Sequence, residues 1–197
     1  MNATLPTRHL ESRVRVAHGR NRESQIANAL NTQCGLNLTD ATDADDKIHK
    51  IDRWLNRNGQ RIPLQIKYRE TGDDLLFEVF DTFDGWDAPT NKVGRDMKGN
   101  ARLYAVLRSD CRTVNIIEVQ NAKKIIDTLL MLAKQMGWSE SDGMFHTFRF
   151  RVNGQTAELK VQRDPGDGRS KMIAYIPSAA LATNAETHTV TMPKNWK

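Results

Sequence analysis

Residues 50–69 read KIDRWLNRNGQRIPLQIKYR, and their pairing decides the fold. Asn58-Gly59 between two alternating segments is the strongest short signal for a two-residue type I′ hairpin, because both turn positions need a positive φ. Arg57 then faces Gln60, Asp52 faces Gln65, and Lys50 faces Lys67. Facing residues share a sheet face, as do residues two apart. Asp52, Gln65, Lys67 and Lys50 are therefore expected on one face, with Ile51, Leu55, Ile62, Leu64, Ile66 and Tyr68 on the other. The 52/65 pair falls at a non-hydrogen-bonded site, where Cα atoms approach to about 4.5 Å. Pro63 also falls at such a site, so its missing N–H costs the hairpin nothing. One turn gathers an acid, an amide and two ammonium groups over an apolar underside.

The rest of the chain sets bounds. At 197 residues it is one medium domain, or a core with a small appendage. With 39% hydrophobic and 27% charged residues, the composition is that of a soluble globular chain. No apolar run approaches the roughly 18–20 residues of a membrane span. The first twenty residues lack the apolar stretch of a signal peptide. Cys34 and Cys111 make neither a disulfide framework nor a metal-ligand set, so a reduced, cytoplasmic setting is expected. The net charge of +5 is uneven: +5 over residues 1–69, −4 over 70–144 and +4 over 145–197. Two basic flanks suit a polyanion, and equally suit the solvated surface of a mildly basic protein.

The spacing divides the chain into a basic N-terminal arm over 1–19, a core over 20–140 and a basic, β-rich extension over 141–197. In the core, "RNRESQIANALNTQCG" predicts a helix stopped by Gly35. A short strand is expected near Leu36–Leu38, then the hairpin from about Lys47 to Arg69. "LLFEVFDTF" (75–83) reads as a strand buried on both faces. The polar segment 84–100 reads as a long loop, functional or mobile. "RLYAVLR" and "TVNIIEV" predict two strands, followed by a helix capped by Asn121 and stopped by Gly137. A second Asn-Gly hairpin, "TFRFRV-NG-QTAELKV", places Phe148, Phe150 and Val152 with Ala157, Leu159 and Val161. Its other face carries Arg149, Arg151, Glu158 and Lys160. "KMIAYIP" is a last strand, and the tail from Ser178 reads as weakly structured.

A carboxylate facing a second oxygen donor, with a lysine one step along, is the minimum for metal-assisted phosphodiester hydrolysis. Asp oxygens with amide or backbone carbonyls are the hard ligands Mg²⁺ prefers. Lysine holds the attacking water or offsets developing negative charge. Glu23 on the first predicted helix is the candidate second carboxylate, and Glu11 a weaker one. Trp54 shares the Asp52 face and is a candidate for stacking on a base or sugar, or for core packing. Lys50, Arg69, Arg149, Arg151, Lys160, Arg163, Arg169 and Lys171 are candidate phosphate contacts or ordinary surface charges. Asp81, Asp84 and Asp87 lack calcium-loop spacing. Asp43, Asp45 and Asp46 read as a solvated approach to the hairpin, with Asp45 or Asp46 able to join a metal.

Glu23, then Asp52, then Gln65-Ile66-Lys67 resembles the PD-(D/E)xK nuclease superfamily. That superfamily includes restriction endonucleases, archaeal Holliday-junction resolvases, Mrr-type enzymes and some homing endonucleases. "GRNRESQIANAL" is similar to the resolvase first helix, and "KID" followed by "LQIKYR" to the Mrr-type pattern with Gln in place of the last acid. The resemblance spans roughly residues 18–82. Lys50-Ile51 precede Asp52 where the family has proline, and no helix is evident in 83–100.

The resemblance implies an α/β (α+β) fold with a restriction-endonuclease-like mixed sheet flanked by helices. It implies cleavage of DNA, double-stranded by expectation, with Mg²⁺ or Mn²⁺. Asp52 would be the principal metal ligand, Gln65 a weaker one, Ile66 a carbonyl ligand and Glu23 the completing carboxylate. Lys67 would position the nucleophilic water. Cutting both strands implies a homodimer or higher oligomer. The alternatives are a non-catalytic DNA-binding protein with a degraded nuclease site, and a protein–protein adaptor.

Overall fold

The Asn58-Gly59 turn closes as read, with φ of 52° and 73° at its two residues. The structure is a computed structural model that describes residues 7–69, 72–137, 145–163, 169–181, 185–193 and 196, with the side chains of 7–17 and 145 excepted. Chain order begins with α1 (Thr7–Cys34), β1 (Leu38–Asp40), a single π turn (Asp45–His49), β2 (Arg53–Arg57) and β3 (Gln60–Tyr68). Next come β4 (Asp74–Thr82), β5 (Lys92–Val93), α2 (Arg95–Lys98), β6 (Leu103–Leu107) and β7 (Thr113–Glu118). The remainder is α3 (Val119–Met136), β8 (Phe145–Val152), β9 (Gln155–Arg163), β10 (Ser170–Pro177), α4 (Ser178–Leu181) and β11 (Glu186–Thr189).

The strands form two sheets, and the class is mixed α+β. The first sheet has the order β1-β2-β3-β6-β7-β11 and is antiparallel except where β6 runs parallel to β3. The second is antiparallel, β5-β4-β10-β9-β8. Leu55, Leu64 and Ile66 on the hairpin's apolar face pack with Ile26, Ala27, Ala29 and Leu30 of α1. Leu55, Leu64, Ile26 and Leu30 are essentially sealed from water, each contributing roughly 1.5–3 kcal/mol. The opposite face of the first sheet, through Tyr104, Val106 and Ile117, shares a second core with Phe77, Leu159 and Ala174 of the other sheet and Ile126 of α3.

Several expectations change. Residues 7–19, read as an arm, belong to α1, which starts at Thr7. Their mixed polar sequence carries no apolar stripe, and helix formation without one leaves nothing for a periodicity reading to find. β1 lies at Leu38–Asp40, two residues beyond the expected start. The hairpin does not reach back to Lys47, because 45–49 wind into the π turn and Lys50 takes a left-handed φ of 57°. Lys50 therefore never faces Lys67. β4 buries Leu75, Phe77 and Val79 but leaves Asp74, Leu76 and Glu78 partly open, so it is buried on one face. α3 starts at Val119 with Glu118 before it, placing Asn121 inside the first turn rather than at the cap.

The C-terminal hairpin forms in the expected register, Phe148 opposite Leu159 and Arg149 opposite Glu158. It is not an appendage: β10 pairs with β4, and 145–177 complete the sheet that β4 begins. The tail read as weakly structured contains β11, which pairs with β7, and buried Val190 and Trp196 beside α1. Among the described residues no helix is long and apolar enough to cross a membrane.

Candidate active site

The site forms where the hairpin comes apart. β3 continues to Tyr68, whereas β2 has already ended at Arg53 on its open side. The Asp52 N–H donates to the Leu64 carbonyl at 3.0 Å. Two residues along β3, the Asp52 carboxylate replaces the missing strand: Oδ2 accepts the Ile66 N–H at 2.6 Å. In a strand, N–H and C=O of one residue point to the same edge, so the Ile66 carbonyl emerges at this open edge beside Asp52.

Asp52 is 8% exposed. Burial pushes its carboxyl up to about 6, against the pull of the Ile66 N–H; Asp46 adds to the rise, while Lys67 and Arg53 oppose it. Glu23 comes from α1, one turn before Ile26 and Ala27 and two before Leu30. This helical spacing puts it on the same inward face. Burial, then the charges of Asp52 and Asp46, push Glu23 up to about 7, with Arg53 and Lys67 pulling the other way. Asp46, Arg53 and Lys67 thus all bear on the two carboxylates Glu23 and Asp52. A cavity of about 260 Å³ opens here, its walls including Arg20, Glu23, Thr42, Asp46, Asp52 and Arg53.

Lys67 reaches the site from the other face of the sheet. Its Nζ lies 2.6 Å from Asp96 Oδ1 and 5.2 Å from the centroid of the Tyr104 ring. Gln65 stands opposite Tyr104 in the β3–β6 register. Its Oε1 is buried and finds no hydrogen-bond partner among the described residues.

These groups fit a divalent cation of the hard class. Two carboxylates driven upward by burial and by the Asp46 charge, and an edge carbonyl, are oxygen donors that a cation would satisfy. Gln65 Oε1 is a further buried oxygen without a donor among the described residues, on the sheet face of Lys67. Among the described residues no three His, Cys, Asp or Glu side chains form a ready ligand group. Mg²⁺ is ordinarily held by one or two carboxylates and keeps several waters, which is the level of protein ligation Asp52 and Glu23 offer.

Two residues escaped the sequence reading. Arg53, 14% exposed at its side chain, contacts the Asp52 carbonyl at 2.6 Å, Ser24 Oγ at 2.9 Å and Asp40 at 3.2 Å. It ties the helix carrying Glu23 to the strand end carrying Asp52. A signal existed: in the hairpin register Arg53 faces Leu64, an arginine on the apolar face. Asp96 lay in a segment read as a loop, with no periodicity to mark it.

The candidate DNA contacts divide. Trp54 lies opposite Pro63, with the Arg61 guanidinium 4.6 Å from its ring centroid. Arg149 and Lys160 share Glu158 at 2.9 and 2.8 Å, and Arg169 and Lys171 share Asp81 at 3.4 and 3.8 Å. The Arg149–Lys160–Glu158 trio keeps one positive charge. Arg69 pairs with Asp74 at 3.3 Å, Arg151 donates to the Gly154 carbonyl, and Arg163 is exposed at the end of β9. Arg69 and Lys160 both lie over the Tyr175 ring on the outer face of the second sheet. The chain matches no family model, no curated protein and no solved structure.

Proposed function

We propose that the chain is a metal-dependent nuclease, and more particularly an endonuclease that hydrolyses phosphodiester bonds in DNA with Mg²⁺ or Mn²⁺. The observation that carries the reading is the split hairpin end. It sets Asp52 in the sheet plane, with Glu23 arriving from one face and Lys67 from the other. A restriction-endonuclease-like core is part of the proposal. It is supported by the order α1, hairpin, and β6 parallel to β3. The crossover between those parallel strands departs from that pattern, since it carries β4, β5 and the four-residue α2.

In this reading Asp52, Glu23, Gln65 Oε1 and the Ile66 carbonyl hold the cation. When bound there, the cation would supply Lewis-acid polarisation of a phosphate oxygen and of a water. Lys67 orients that water and offsets the charge that develops on the phosphate. Arg53 keeps the two carboxylates in register. The excess positive charge of the Arg149–Lys160–Glu158 trio on the second sheet helps hold the DNA backbone, with Arg169 and Lys171 as further candidate contacts. Two chains acting together would cut both strands.

The test is incubation of supercoiled plasmid with the protein and Mg²⁺ or Mn²⁺, beside Asp52→Ala and Lys67→Ala. Cleavage by the wild type and its loss in both variants, with DNA binding retained, supports the proposal. Binding without cutting in the wild type refutes it and leaves a DNA-binding protein. The Gln at position 65, where an acid would strengthen the cation site, is the feature that favours this second reading.

A further inference from the structure

We propose that Asp96 is the positioning residue for Lys67, holding the ammonium group at the site from the segment between the two sheets. The inference rests on the nuclease reading and adds to it a residue that the hairpin does not contain.

Asp96 lies in α2 and is 8% exposed. Both of its oxygens are committed. Oδ1 meets Lys67 Nζ at 2.6 Å, and Oδ2 accepts the Glu78 N–H of β4 at 2.8 Å. The carboxylate therefore joins one strand of each sheet through a charge-assisted bond and a backbone bond. A lysine has four rotatable side-chain bonds and three donors, so its head has no fixed place unless something fixes it. Here a buried acid fixes it.

The segment carrying Asp96 is itself clamped. The Gly94 N–H donates to the Val79 carbonyl at 2.8 Å, and a Cβ at Gly94 would stand 2.2 Å from the Glu78 carbonyl oxygen. Only glycine allows that approach. Arg95 holds Glu78 through its backbone N–H at 3.0 Å and its guanidinium at 3.1 Å. Lys123 of α3 donates to the Met97 carbonyl at 2.8 Å. Asn100 then reaches the π turn, its N–H donating to the His49 carbonyl at 2.9 Å. Residues 94–100 buttress the site twice, at Lys67 and at the turn that carries Asp46.

Asp96→Asn tests this with little insult to the fold, because an amide oxygen still accepts the Glu78 N–H while an amide NH₂ confronts Lys67. Plasmid cleavage with Mg²⁺ should slow roughly 10–100-fold, the range for outer partners of catalytic groups, with DNA affinity unchanged. Acylation of Lys67, read by mass spectrometry, should quicken several-fold at unchanged melting temperature. Asp96→Glu should restore part of the rate. Gly94→Ala, which displaces α2 without touching a charge, should expose Lys67 to acylation in the same way. Asp96→Asn that cuts as fast as the wild type, or leaves Lys67 labelling unchanged, overturns the assignment while the nuclease reading stands. A wild type that cuts no DNA overturns both, even if the labelling confirms the ion pair.

Discussion

Asp52→Asn is expected to stabilise the protein at alkaline pH while abolishing the proposed chemistry. Burial lifts the Asp52 carboxyl from an ordinary 3.8 to about 6. Between those values the folded protein keeps a proton that the unfolded chain has released. The group therefore favours folding at low pH, and that contribution is lost as pH rises through about 6. A gap of about two pH units, at about 1.4 kcal/mol each, makes the buried charge worth about 3 kcal/mol against folding. Asparagine has no charge to bury and still offers an oxygen to the Ile66 N–H, but gives up about 1 kcal/mol of charge assistance. The variant should gain about 2 kcal/mol at pH 8 and nothing at pH 4. For a chain of this length that is about 4–8 °C in melting temperature. Urea and thermal unfolding in chelator at the two pH values measure it. Adding Mg²⁺ should then stabilise the wild type at pH 8 by about 2.7 kcal/mol at a hundredfold excess over its dissociation constant, and Asp52→Asn not at all. A variant less stable than the wild type at pH 8, or more stable by the same amount at both pH values, refutes the reasoning.

Three further outcomes are expected. Asp46→Asn lowers the pH at which Glu23 and Asp52 ionise, since its charge raises both; carboxyl resonances followed by NMR that keep their midpoints contradict this. Glu158→Gln releases Arg149 and Lys160, tightening duplex binding at low salt and steepening the salt dependence by about 0.9 per added phosphate contact; an unchanged slope in binding titrations removes this face from the interface. Gly59→Ala forces an alanine to the φ of 73° that the turn requires and costs about 1–2 kcal/mol. An unshifted urea midpoint would mean the turn is not what fixes the hairpin.

What the sequence made legible follows from how local each signal is. Two Asn-Gly turns fix both hairpin registers, since a turn with two positive-φ residues admits one pairing. Arg53 opposite Leu64, and Phe148 with Leu159, follow by counting. The same counting sets Asp52 facing Gln65 on one sheet face with Lys67, but β2 starts only at Arg53, and the Asp52 carboxylate turns to the strand edge and the Ile66 N–H instead. Lys50 was misplaced because the counting assumes the strand persists, and its own left-handed φ ends that assumption. Glu23 was legible only as the acid on a helix expected to lie against the hairpin. Asp96 was not, because its partner Lys67 lies 29 residues away and no periodicity links them. Nor did "LLFEVFDTF" announce that it leaves the hairpin's sheet to found another; Phe80 and Phe83 pack on each other and make the run look buried on both sides.

Trp196 fastens the C-terminal segment to the first helix. Its ring meets Tyr68 at 5.9 Å and lies under the Arg22 guanidinium at 4.4 Å, and Gln33 bonds the backbone of Thr191. Helix α1 is thus seated by residues that follow it by 158 positions or more. A chain without the segment from Thr189 to Trp196 would keep the Asp52 and Glu23 carboxylates but lose the contacts that seat α1 from this side.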